Sequence, residues 1–225
     1  MRAKPRIRCV PKPPRHDRVV LSYKEWRALL AAARESGSRD AALISLMYEA
    51  GLRAGEVGLL QLENCTRLSS HRVVYIHRLK GGRSAWCDVS EATQKALLVW
   101  IRAAYPSRRT KDLPLFPGLD VYKGRVQSAL SRWAVARAVR RLCRDANVVR
   151  EMAWPHALRH TRVMHIVDSG FKKGLPIEQL LPAVAKIVGH KSAWTTITNY
   201  ISETRGVKRA VQELTTELMK DDPQG

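Results

Sequence analysis

The sequence predicts a mainly α fold that carries one small antiparallel β-sheet, an α+β chain. Three observations carry this. Apolar residues recur at helical spacing along most of the chain, as in Leu43, Leu46, Met47 and Ala50. One stretch alone, "RVVYIHRLKGGRSAWCDVS" (72–90), alternates apolar and polar residues around a Gly81-Gly82 turn. Prolines and glycines fall between the periodic segments, where they can end one element and start the next.

The elements follow in order. "MRAKPRIRCVPKPPRHDR" (1–18) is rich in proline and arginine and reads as an extended basic arm, either tracking a phosphate backbone or solvated. Order begins at "LSYKEW", where Ser22 and Glu25 have the spacing of a capping box and Leu21 and Trp26 that of a hydrophobic staple. A helix to Ala33 follows, then a second from Arg39 to Ala50, stopped by Gly51. After the hairpin, 91–104 and 125–146 read as helices, the latter with Leu130, Val135, Val139 and Leu142 as its apolar stripe. Pro155 suits the first turn of a helix to Val167. Pro176 and Pro182 are expected to divide the next stretch into two short helices ending at Gly189. Val207, Val211, Leu214 and Leu218 make a narrow stripe on a terminal helix. The predicted organisation is an arm over 1–18, a folded unit over 19–204 and a terminal helix and tail over 205–225.

Among the 225 residues, Lys and Arg number 40 against 20 Asp and Glu, a formal net charge of +20. That excess, spread through folded segments, predicts a polyanionic partner, with nucleic acid foremost. A membrane-surface protein would gather its cations opposite a Trp/Phe/Leu face on one helix, which this sequence does not do. No apolar run approaches the roughly 18 residues of a membrane span and no leader precedes the first helix, so the expected location is cytoplasmic. Cys9, Cys65, Cys87 and Cys143 are widely spaced and read as reduced thiols.

Three stretches concentrate chemistry. In "YEAGLRAGEVGLL", Arg53 follows a helix-ending glycine and Glu56 stands three residues on, close enough to orient it. Read alone, that pair could equally be a surface salt bridge. In "WPHALRHT", His156, Arg159 and His160 share a helical face near a helix N-terminus, where free N–H groups favour phosphate. A zinc reading of the two histidines lacks an intervening glutamate and a third ligand, so no metal site is expected. In "GHKSAWTTITNY" (189–200), His190 precedes the lone Tyr200. Arg132, Arg137, Arg140, Arg141 and Arg144 on the 125–146 helix, with Arg78 and Arg83 of the hairpin, are candidates for DNA contact.

"GLRxxE", "HxLRHT" and "GHxxxxTT…Y", in that order with Lys80 on a hairpin between the first two, resemble the tyrosine recombinase (phage integrase) family. The likeness spans Leu21 to Tyr200, and "VYIHRLKGG" looks most like the short recombinases that invert fimbrial promoters. The resemblance implies a tyrosine recombinase catalytic-domain fold and a set of roles. Tyr200 would attack a scissile phosphate and become joined to the 3′ end. Arg53 and Arg159 would bind the non-bridging oxygens, His156 and His190 would hydrogen-bond to phosphate or move a proton, and Lys80 would protonate the departing 5′-hydroxyl. Glu56 and His160 would support them. The implied partners are double-stranded DNA with specific recombination sites, a homo-tetramer on DNA formed from free monomers or dimers, and a helper DNA-bending protein. The terminal helix would dock into a neighbouring protomer or pack on its own.

The residue types suit that chemistry. A five-coordinate phosphorus gathers negative charge on its equatorial oxygens, and arginine's planar fork meets two of them while keeping its proton. Preorganised donors of this kind contribute about 3–4 kcal/mol each. Surrounding cations favour the phenolate of Tyr200, whose ordinary pKa is near 10. No step asks for a metal or cofactor. The sequence departs from the family pattern in two places. Tyr200 follows His190 by ten positions, one more than usual, which requires a looped or rewound segment. "GFKKGLPIEQLLP" lengthens the link between the second and third motifs, and is expected as a surface loop, the alternative being that Lys172 and Lys173 reach DNA. A type IB topoisomerase that nicks and reseals, or a DNA-binding regulator without the chemistry, stays open as an alternative.

Overall fold

The computed structural model describes residues 20–79, 81–107, 110–118, 128–148 and 154–189. Helix α1 (Tyr23–Ser36) starts on the expected capping box. Glu25 N–H donates to Ser22 Oγ at 3.2 Å and Ser22 N–H to Glu25 Oε2 at 2.7 Å, an arrangement that contributes about 1 kcal/mol. Leu21 and Trp26 join the same core. Gly37, at φ 130°, separates α1 from α2 (Ser38–Glu49). This second helix is buried from Asp40 through Tyr48, beyond its expected single stripe, because α1, α5 (Glu91–Ala104) and α7 (Pro155–Lys172) all pack against it.

Three short turns that periodicity did not reveal follow: α3 (Ala54–Val57), a 3₁₀ turn (Leu62–Cys65) and α4 (Leu68–His71). The hairpin is present as β1 (Val73–Ile76) and β2 (Ala85–Asp88), antiparallel, with Val74 opposite Cys87 and Tyr75 opposite Trp86. Its inner face buries Val74, Ile76 and Cys87 in the core. Helix α6 (Arg132–Asp145) begins at the Ser131 cap, later than expected, since Leu130 N–H pairs with Phe116 O at 2.8 Å and keeps 128–130 extended. Its apolar stripe is buried as predicted.

The C-terminal part of the described chain corrects two expectations. Helix α7 continues to Lys172, past Val167, and α8 (Ile177–Val188) runs through Pro182 as one helix. Proline forfeits one backbone hydrogen bond in a helix. Burial of Val184 and Val188 against Val163 and Val167 outweighs that loss. Gly170 permits the close approach, because a Cβ there would lie 2.3 Å from Leu180 Cδ2. The lengthened link is thus helix and tight turn in place of a surface loop. Lys172 lies with its ammonium over the Tyr23 ring, 5.5 Å from its centroid. No helix among the described residues is long and apolar enough to cross a membrane.

Candidate active site

The site is built on the C-terminal end of α2. Gly51 takes a left-handed turn (φ 57°), and a Cβ there would meet Val188 Cγ1 at 3.0 Å. The turn frees the carbonyls of Ala50 and Gly51 at a helix end, where the macrodipole favours cations. Two arginines from distant positions take them. Arg78 Nη2 donates to Ala50 O at 2.7 Å. Arg159 Nη1 donates to Gly51 O, 108 positions away in sequence, at 2.7 Å.

Glu56, fully buried, ties the same corner together. Its Oε1 accepts from Arg53 Nη1 at 2.7 Å and Leu79 N–H at 3.2 Å. Its Oε2 accepts from Arg53 N–H at 3.0 Å and Arg78 Nη1 at 3.1 Å. Burial alone would push the carboxyl up. The Arg53 N–H bond, the Arg78 charge and the remaining donors outweigh it and hold the group below the usual carboxylate range. The Arg53–Glu56 pair is therefore more than a surface salt bridge: its carboxylate has left water entirely, while the Arg53 side chain stays 25% exposed.

Arg78 was expected at a DNA-facing surface and is instead interior, 8% exposed, between Glu56, the end of α2 and Ile187 O at the end of α8. Its strand parity is the reason. Val74, Ile76 and Arg78 alternate toward one face, and that face is the core. Arg83, just past the hairpin tip, is exposed as expected.

On α7, Pro155 occupies the first turn and Trp154 the cap position. His156 and His160 share a face, their rings 4.4 Å apart and edge-on. Arg159 departs from that face, fully buried beneath it, while His156 is exposed and His160 half-buried. Lys80, His190 and Tyr200 lie outside the described residues, as do the arm and the terminal-helix residues Val207, Val211, Leu214 and Leu218.

Helix α6 separates its arginines. Arg132, Arg137, Arg140 and Arg144 are exposed. Arg141, expected among them, turns inward to an ion pair with the buried Asp40 and donates to Ser36 Oγ at 3.1 Å. Its position beside the apolar stripe brings it against the start of α2. Arg39, Arg137, Arg140, Arg141 and Arg144 line an open groove of about 650 Å³. Two exposed tryptophans border this surface and were not anticipated: Trp133, 63% exposed, lies 4.9 Å from the Arg132 guanidinium, and Trp154, 44% exposed, lies 3.8 Å from that of Arg140. Trp133 stands off the apolar stripe of its helix, the one signal in the sequence that could have found it.

This helical α+β chain draws arginines from three distant segments around one helix end. The sequence profile of the phage integrase family matches residues 20–205, and the chain belongs to that family. It is similar to the tyrosine recombinase XerD of Staphylococcus saprophyticus, 25% identical over 189 residues that cover 81% of this chain and 59% of the relative. It is also similar to the tyrosine recombinase XerC of Xanthomonas campestris pv. campestris, 29% identical over 188 residues covering 83% of this chain and 52% of that protein. The chain thus spans a little over half the length of these curated relatives. Among solved structures, a crystal structure of XerA recombinase superposes with a TM-score of 0.66 at 25% identity, covering 95% of this chain and 68% of that one. XerH site-specific recombinase, bound to its difH substrate before cleavage, shares the fold with a TM-score of 0.61 at 22% identity, over 80% of this chain and 49% of XerH.

Proposed function

We propose that this protein is a site-specific DNA recombinase that cuts and rejoins strands through a covalent 3′-phosphotyrosyl intermediate. The observation that carries the reading is the shared node at Gly51, where Arg159 meets the corner that also holds Arg53 on Glu56. In the proposed reaction the Tyr200 oxygen attacks phosphorus, and Arg53 and Arg159 meet the charge gathering on the non-bridging oxygens. His156 and His190 hydrogen-bond to the phosphate, supported by His160. The bond to the 5′-oxygen breaks as Lys80 delivers a proton to it. The phosphotyrosyl bond keeps the energy of the broken backbone, so a second DNA hydroxyl can reverse the attack without ATP. The exposed arginines of α6, with Arg83, bind the phosphates that flank the cut.

The protein acts on double-stranded DNA as a homo-tetramer, with the terminal helix exchanged between protomers and a helper DNA-bending protein assisting. The test begins with a pool of nicked duplexes of random sequence. Covalent protein–DNA complexes are isolated in denaturant and the trapped DNA is sequenced. Trapping that enriches a site and drops by at least about 10⁴-fold in Tyr200→Phe supports the proposal. Equal trapping by Tyr200→Phe, or none by the wild type, overturns it, and the latter leaves a DNA-binding regulator, the reading favoured by the extra residue before Tyr200.

A further inference from the structure

One buried guanidinium in this structure has more to do than the proposed reaction assigns to it. Arg78 lies two positions before Lys80, and its side chain runs away from the hairpin tip into the interior. There it meets the carboxylate of Glu56 at 3.1 Å and the C-terminal carbonyls at the ends of two different helices, Ala50 O beside α2 at 2.7 Å and Ile187 O of α8. Ile187 stands three positions before His190. A cation is favoured at either helix end by the macrodipole, and here it is shared between both. Buried charge is tolerated when paired in this way, whereas an unpaired one is strongly unfavourable.

The packing around the stem of Arg78 is as tight as its hydrogen bonding. A Cβ on Gly82 would lie 2.8 Å from Arg78 Cβ and 2.9 Å from Gly189 O, and a Cβ on Gly189 would lie 2.8 Å from Arg78 Nε. Two glycines, one just past the hairpin tip and one ending α8, therefore press on the same side chain. Arg78 thus joins the segment that leads into Lys80 to the segment that leads into His190.

We infer that Arg78 is a positioning residue for leaving-group protonation: it fixes the Lys80-bearing hairpin tip against the end of α8 so that the proton reaches the 5′-oxygen. The inference rests on the strand-transfer reading above. Its specificity follows from which tethers survive without Arg78. Arg53 keeps its own bonds to Glu56, and Arg159 keeps Gly51 O. The hairpin tip keeps Leu79 N–H on Glu56 at 3.2 Å and loses only the guanidinium that links it to α8. Phosphate binding should therefore persist while proton delivery fails.

The chemistry offers a discriminating substrate. When the 5′-bridging oxygen is replaced by sulfur, the P–S bond breaks to a thiolate, whose low basicity removes the need for a proton. The duplex enriched by the wild type is prepared in oxygen and sulfur forms, and single-turnover cleavage and DNA affinity are measured for wild type, Arg78→Met and Arg78→Lys. For both variants we expect affinity within about threefold of wild type, cleavage of the oxygen substrate reduced by 100-fold or more, and cleavage of the sulfur substrate within about tenfold. Gly82→Ala retains Arg78 and displaces the tip, and should show the same pattern in weaker form. It serves as the second variant if the substitutions at 78 prevent cooperative melting. Equal losses on both substrates would make Arg78 a merely structural residue and overturn the inference, as would unchanged cleavage of the oxygen form. A wild type that traps neither substrate would instead overturn the strand-transfer reading itself.

Discussion

The corner around Gly51 and the outer edge of α6 are both arginine-rich, and they use the residue in opposite ways. At the corner, Arg78 and Arg159 have surrendered water for helix-end carbonyls and for Glu56. Along α6, Arg137, Arg140 and Arg144 keep theirs and face an open groove. A buried cation must be matched group by group, because the cost of desolvation recurs whenever a partner is lost. An exposed one costs the fold almost nothing and is available to a phosphate. Net charge announces a polyanionic partner, while burial shows which cations the fold itself already engages.

The sharpest way to break this contrast is to remove the carboxylate at the corner. Glu56→Leu leaves Arg78 and the inner part of Arg53 without their shared anion, and we expect a loss of about 3–5 kcal/mol in urea unfolding. The sign follows in pH as well. Glu56 titrates below its ordinary value, so its contribution is complete above the usual carboxylate range and is lost as pH falls through the lower, folded value. A cost under about 1 kcal/mol would mean that the corner behaves like a surface.

The second prediction concerns the outer edge. Arg140→Ala with Arg144→Ala should leave stability within about 0.5 kcal/mol of wild type. The slope of log affinity against log salt on duplex DNA should become shallower by about 0.9 for each phosphate contact removed. Arg141→Ala provides the reverse: about 0.5–1 kcal/mol of stability through Asp40, after allowing for its partial exposure, and an unchanged salt slope. If Arg141→Ala alters the slope as Arg140→Ala does, the division between inward and outward arginines fails.

Much of this was legible in the sequence, and what escaped had physical reasons. The capping box at Ser22, the α6 stripe and the hairpin around Gly81-Gly82 are local patterns, and local patterns survive without knowledge of neighbours. The Arg53–Glu56 spacing likewise announced a pair, though its burial depends on Arg78 arriving from the hairpin. Pro182 was read as a divider because propensity treats the helix alone, while Val184 and Val188 bury against α7 and hold it together. Arg78 and Arg141 were misplaced for a related reason. Their charge points outward, whereas period points inward: Arg78 falls in step with Val74 and Ile76, and Arg141 lies three residues beyond the buried Ala138. Lys80, His190 and Tyr200 rest on motif order and resemblance.

A smaller effect tests whether the inward logic extends beyond arginine. His165, buried on α7, has a tautomer set by its partners: Leu21 O can only accept, so Nε2 carries the hydrogen and donates at 2.9 Å. A neutral ring then leaves Nδ1 to accept from Tyr48 Oη–H at 2.7 Å. Tyr23 stacks on the same ring at 3.9 Å and donates through its hydroxyl to His165 O. Burial lowers the imidazole pKa, and the nearby charges of Arg162 and Lys172 act in the same direction. The bond to Leu21 O and the Asp168 carboxylate oppose them without prevailing. The unfolded chain takes up the proton first, near pH 6.5. Stability from His165 is therefore complete above that pH and falls as pH drops toward the folded value, where Tyr48 must give up its acceptor. Each kcal/mol lost corresponds to about 2–4 °C in a chain of this size, so calorimetric melts between pH 7.5 and 5 should resolve the decline. His165→Gln should melt lower at pH 7.5 and lose that part of the slope. An unaltered slope would place the acid sensitivity elsewhere, with Glu56 and Asp40, whose depressed values put their losses at lower pH.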